Sequence, residues 1–144
     1  TPDYVHYKLF KSLQMDIAVW SDIVTQIHDA DKKVYFDIFG QDSLSIAKTL
    51  KADGVKIHLS DFYNNRLIEE SIRNFNRVYI SIGGIPIEDL DLLINDVIKE
   101  KYKKITLLYG FQSEPTPLKE NNLKKLSSLG NSENLIDFSS SIFP

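Results

Sequence analysis

"RVYISIGGIPIEDLDLLI", residues 77–94, carries the pattern from which the fold can be read. A β-branched and aromatic run stops at Gly83 and Gly84. Pro86 suits the first turn of a helix, and Glu88 and Asp89 fall where the positive end of the helix dipole favours acids. Leu90, Leu93, Ile94 and Val97 then recur at three- and four-residue steps. A strand, a tight turn and an amphipathic helix therefore follow one another directly.

The same unit repeats on either side. Strand-like runs cover Val34–Phe39, Val55–Leu59, Lys104–Tyr109 and Asn134–Phe138. They are near-continuously apolar, which predicts strands covered on both faces. Leu13, Ile17, Trp20, Val24 and Ile27 predict a helix over Ser12–Ala30. Asp42 or Ser43 can cap a helix carrying Leu44, Ala47 and Leu50. Leu67, Ile68 and Ile72 mark another, and Leu123 and Leu126 the last. The order is a helix, four strand–helix units and a strand, which implies parallel pairing and right-handed crossovers. No GxGxxG follows the first strand, so nothing local supports a dinucleotide site. The pattern points to an α/β fold of the (β/α)8 TIM-barrel type. Such a barrel typically needs about 250 residues, and this chain has 144. It reads as about the C-terminal five strands of a barrel, a single partial domain over residues 1–144.

Composition narrows the partners. The formal charge is −3 with both signs interspersed, so nucleic acid is not expected. No apolar run approaches the ~20 residues of a membrane helix. The N-terminal "TPDYVHYKLF" has neither the basic start nor the apolar stretch of a signal peptide. The chain has no cysteine, which excludes disulfides and thiol catalysis and fits a reducing, cytoplasmic compartment.

In a barrel, chemistry sits at the C-terminal strand ends. Those ends carry Asp37, Gly40 and Gln41; Lys56, His58, Ser60, Asp61 and Asn64; Ser81, Gly83 and Gly84; Tyr109, Gln112, Ser113 and Glu114; and Asp137 with Ser139–Ser141. Lys56 lies inside an apolar strand, and strand alternation turns it with His58 and Ser60 to one side. An inward ammonium needs a partner. That partner is either an anionic ligand or an acid such as Asp37. Ser81 before two glycines offers a hydroxyl and backbone amides for a phosphate or carboxylate, although turn formation alone also explains the glycines. Pro115 and Pro117 stiffen the loop after Gln112. His58 reads as a hydrogen-bonded structural residue, since His6 and His28 lie elsewhere and no HxH or HExxH spacing occurs. The serines at 139–141 lack the GxSxG elbow. A strand-end lysine also suits Schiff-base aldolase chemistry.

"GVKIHLSDFYNNRLIEE" (54–70), "RVYISIGGIPIEDLDLLI" (77–94) and "ITLLYGFQSEPTPLKENNLKKL" (105–126) occur in this order. Together they resemble the catalytic barrel of the sialic acid synthase (NeuB) family, whose members make N-acetylneuraminate, legionaminate or pseudaminate. The resemblance covers roughly residues 9–126. It implies a condensation of phosphoenolpyruvate with an open-chain N-acylated amino sugar, releasing phosphate, with a divalent metal (Mn or Mg) polarising the aldehyde. It implies a catalytic group of Lys56, Gln112 and Asp61. It implies substrate contacts from Lys56, Ser60, Asn64, Ser81, Gly83 and Gln112, and allows a homodimer. Lys56 matches the family's phosphoenolpyruvate-binding strand lysine, and Ser81 and Gly83 match its Ser-Thr-Gly phosphate turn. Pro115 and Pro117 match its Tyr-Pro-x-Pro loop. The departures are equally specific. Tyr109 stands where the family carries a metal histidine, and Glu114 replaces the loop tyrosine. "IDFSSSIFP" replaces the terminal Ser-Asp-His-Thr motif, "FDIFG" replaces Ser-Thr-Pro-Phe-Asp, and no lid domain is recognisable. A catalytically degenerate module that binds a sugar or a protein partner is the alternative reading.

Overall fold

The computed structural model describes residues 5–98, 105–110, 124 and 137–140. The chain divides into two compact units, Thr1–Val34 and Tyr35–Pro144.

The first unit contains α1 (Tyr7–Ser12) and α2 (Ile17–Asp29). The helix expected over Ser12–Ala30 is α2 and starts later, at Ile17, while α1 is a further short helix that ends at Ser12. Asp16 is extended, at φ −65° and ψ 152°, and stands at the N-cap of α2, a position suited to a carboxylate. At the other end Asp31 takes a left-handed φ of 55°. Lys32 N–H then donates to Ile27 O at 3.1 Å and closes the helix in a Schellman pattern.

The second unit is a sheet with helices. Its order is β1 (Tyr35–Ile38), α3 (Gly40–Thr49), β2 (Gly54–Ile57), a 3₁₀ turn at Leu59–Asp61, α4 (Asn65–Asn74), β3 (Arg77–Ser81), α5 (Ile87–Leu92) running into π-helical turns at Leu93–Ile98, β4 (Ile105–Tyr109) and β5 (Asp137–Ser140). The strands lie side by side in sequence order and every neighbouring pair is parallel. The alternating strand and helix pattern dictates this, because parallel strands need a crossover between them. The last strand lies three residues later at its start than Asn134–Phe138. The helix marked by Leu123 and Leu126 falls outside the described residues apart from Lys124.

The two sheet faces differ, which corrects the expectation of strands covered on both. Ile38, Val55, Ile57, Val78, Ile80, Ile105 and Leu107 point to one face and are buried in one core with Leu44, Leu67, Ile68, Ile72 and Leu90 from the helices. There α3 packs on β1 and α4, and α4 on β3 and the π-helical segment. The other face carries Tyr35, Asp37, Lys56, Arg77, Tyr79, Thr106 and Leu108. Tyr35 and Tyr79 made these runs look apolar, but their rings stack edge to face at 5.6 Å on the polar side.

Two further contacts brace the unit. Between α3 and α4, Glu70 accepts from Gln41 at 2.5 Å and from Lys48 at 3.2 Å. The Gln41 bond, then the Lys48 bond and charge, hold the Glu70 carboxyl below the usual carboxylate range. At the strand ends Ile85 N–H bonds Ile82 O at 3.2 Å across a tight turn in which Gly84 has φ +79°. A Cβ on Gly83 would stand 1.9 Å from Gly110 O, so only glycine allows this approach to the end of β4.

Gly83→Ala is expected to destabilise the protein by about 1–3 kcal/mol, read as a lower denaturation midpoint with an unchanged slope. Because the Glu70 pKa is depressed by folding, its contribution is present above the unfolded carboxylate range and lost as pH falls through the folded value. The melting temperatures of wild type and Glu70→Gln should accordingly differ at neutral pH and converge in acid.

Candidate functional site

Parallel pairing brings all C-terminal strand ends to one edge of the sheet. The register aligns Asp37, Lys56, Tyr79 and Thr106 in one row across four strands, with Asp137 at the corresponding position of β5. Ser81 follows two residues beyond Tyr79, nearer the edge, and is buried. Arg77 lies two residues before Tyr79 and its Nη1 donates to Thr106 Oγ1 at 3.4 Å.

Lys56 is the cation of this row, on the strand next to the β1 edge. Its Nζ donates to Asp37 Oδ2 at 2.5 Å. The two side chains keep 35% and 41% of their exposure, so water reaches both and the pair adds no more than about 1 kcal/mol to stability. Of the two partners the sequence allowed for Lys56, the folded chain supplies Asp37.

The residues after β2 brace the edge. His58 stacks on Phe39 with ring centroids 4.6 Å apart. Its Nδ1 accepts from the Ser60 N–H at 3.3 Å and lies 3.1 Å from Ser60 Oγ, which makes Nδ1 the unprotonated nitrogen and His58 the cap of the 3₁₀ turn. Asp61 Oδ2 accepts from Gly40 N–H at 3.1 Å and ties the turn after β2 to the end of β1. Asp61 Oδ1 accepts from Asn64 Nδ2 at 3.4 Å. Asn64 Oδ1 in turn accepts from Leu67 N–H at 3.2 Å and caps α4. Of the residues the sequence assigns to substrate and catalysis, Asp61 and Asn64 are thus engaged with local backbone and with each other, and Ser60 with the His58 ring. Gly83 sits at the edge against Gly110. Gln112, Ser113, Glu114, Pro115 and Pro117 lie outside the described residues.

Lys56 and Ser81 share a face, and Gly83 lies at the same edge. Tyr109 is on the other side, buried at 7% exposure within the hydrophobic core. The sequence reading did not single out Tyr79, Arg77 or Thr106. The alternation in "RVYIS" puts Arg77, Tyr79 and Ser81 on one side, but their company with Lys56 follows from the inter-strand register, which no local pattern encodes.

The NeuB family model matches residues 2–138. This chain belongs to the NeuB family. No curated protein sequence matches the chain. Among solved structures it resembles spore coat polysaccharide biosynthesis protein E from Chromobacterium violaceum, with TM-score 0.81 and 20% identity over 96% of this chain and 41% of that one. It also resembles the N-acetylneuraminic acid (sialic acid) synthetase from Leptospira borgpetersenii serovar Hardjo-bovis, solved in complex with citrate. There the TM-score is 0.77 and the identity 16%, over 96% of this chain and 50% of that one. At these identities the likeness carries the fold, and the chain spans half or less of each relative's length.

The NeuB resemblance implies a divalent cation. Among the described residues no three His, Cys, Asp or Glu side chains cluster closely enough to hold one. Tyr109, at the expected histidine position, is a core residue. The described donor set does not fit the metal. No described helix is long and apolar enough to cross a membrane.

The two positions should separate in stability measurements. Tyr109→Ala is expected to cost about 3–5 kcal/mol as a large buried ring is lost, whereas Lys56→Ala should change unfolding free energy by about 1 kcal/mol or less.

Proposed function

We propose that this chain forms the phosphoenolpyruvate-binding part of a sialic acid synthase-like enzyme, built on a (β/α)8 barrel that further strands complete. The observation that carries this reading is Lys56 on the polar sheet face, with Ser81 buried one step nearer the strand ends on the neighbouring strand. A cation beside a hydroxyl suits the carboxylate and phosphate of phosphoenolpyruvate. Membership of the NeuB family supports the same chemistry.

In the proposed reaction C3 of phosphoenolpyruvate forms a bond to the aldehyde carbon of an N-acylated amino sugar. Water adds at C2 and the C2–O bond to phosphate is lost, giving a nonulosonic acid and inorganic phosphate. Lys56 holds the phosphoenolpyruvate anion. Ser81 and the backbone at Gly83 contact its oxygens, and Gln112 is assigned to the substrate by the family resemblance alone. Asp61 keeps the edge in shape through Gly40. Within this reading the face bearing Tyr35, Lys56 and Tyr79 is the barrel interior. The outer edge of β1, which pairs with β2 in the described residues, is where further strands or a second copy would join.

A second reading is a catalytically degenerate module that binds a sugar or a protein partner. It is favoured by Tyr109, whose ring fills the core at the position the family gives to a metal ligand.

Calorimetric titration of phosphoenolpyruvate into wild type and Lys56→Ala, with and without manganese, tests the proposal. Saturable binding that weakens about 10- to 100-fold in Lys56→Ala is the expected outcome, the range for losing a charged hydrogen bond. Equal heats from wild type and Lys56→Ala would overturn it. Binding without release of phosphate when N-acylated amino sugars are added would favour the degenerate module.

A further inference from the structure

The Lys56 ammonium already has a counter-ion in the folded chain, and that counter-ion comes from the protein. Asp37 lies directly opposite Lys56 in the β1–β2 register, and the two are joined at 2.5 Å. Neither residue is locked in place. Each side chain keeps more than a third of its exposure. Asp61, the other nearby carboxylate, is engaged with Gly40 N–H and Asn64. Among the described side chains, the other charged and titratable groups on this face are Arg77, which donates to Thr106, the Tyr35 and Tyr79 phenols, whose rings stack on each other, and His58 at the edge, whose Nδ1 faces Ser60; Asp137 holds the matching backbone position on β5.

We propose that Asp37 is the specificity-determining residue of this site: an internal carboxylate that an incoming anion must displace from Lys56. The inference rests on the anion-binding reading above and adds to it the residue that sets how strongly, and for which charge, the site binds. Two physical effects act in the same direction. The ligand has to break a charge-assisted hydrogen bond that water or protein must then replace at Asp37. Once seated on Lys56, the ligand also lies within a few ångströms of a like charge, a repulsion that grows with each negative charge it carries. An exposed ion pair is weak, so exchange is feasible, and the cost falls on affinity rather than on the fold. The site therefore discriminates against highly charged anions unless other contacts compensate. Removing one carboxylate relieves this.

The test compares binding of phosphoenolpyruvate and of pyruvate, a monoanion, to wild type, Asp37→Asn, Asp37→Ser and Asp37→Glu. The two neutral replacements differ in shape, so a folding defect in one leaves the other informative, and circular dichroism checks both. Asp37→Asn or Asp37→Ser should bind phosphoenolpyruvate at least about tenfold more tightly, about 1.4 kcal/mol. The gain should be smaller for pyruvate, and Asp37→Glu should return the affinity toward wild type. A structural role for Asp37 would not make the gain depend on ligand charge. Wild type and the neutral variants binding phosphoenolpyruvate equally would overturn the role of Asp37 and leave the Lys56 site standing. A gain equal for both ligands would also overturn it. No binding in any variant would overturn this inference together with the anion site itself.

Discussion

Parallel pairing between consecutive strands is the constraint on which the rest of this structure depends. It sends the chain back through a helix after each described strand from β1 to β3, and those helices cover one face of the sheet. The fully buried aliphatic residues of the strands occupy that covered face. The polar residues, with Tyr35 and Tyr79, are left together on the other. The same pairing brings the strand ends into one edge, where short backbone approaches such as Gly83 against Gly110 become necessary.

Much of the polar machinery at this edge is structural. His58 caps a 3₁₀ turn, Asn64 caps α4, and Asp61 ties neighbouring strand ends together. Each satisfies backbone donors that would otherwise lose hydrogen bonds on folding. Residue types prized by catalysis are equally those that cap and turn, which explains why a sequence reading assigned several of them to substrate. Lys56 differs because its partner is another side chain and no backbone group depends on it.

The position of Tyr109 bears on how this member of the NeuB family departs from the family pattern. A histidine there would carry a polar ring. The tyrosine places a large aromatic surface in the core beside Ile80, Ile82 and Leu107, where burial of the ring supplies stability. Among the described residues Lys56 and Ser81 therefore lie on the polar face of the sheet, and Tyr109 lies in the core on the other.

The sequence alone determined the order of the five strands and of the helices between β1 and β4, the α/β class, the position of the glycine turn and the family, because these rest on local periodicity and on ordered motifs within a few residues of one another. It also narrowed the partner of Lys56 to two candidates. The choice of Asp37 came from the β1–β2 register, a relation between residues 19 apart in the chain, which alternation within either strand does not specify. Tertiary structure likewise decided which strand face is apolar, since Tyr35 and Tyr79 count as hydrophobic in a sequence but keep their rings on the polar side. It moved Tyr109 from ligand position to core for the same reason: period-two alternation fixes which residues share a side, and only helix packing decides which side is buried.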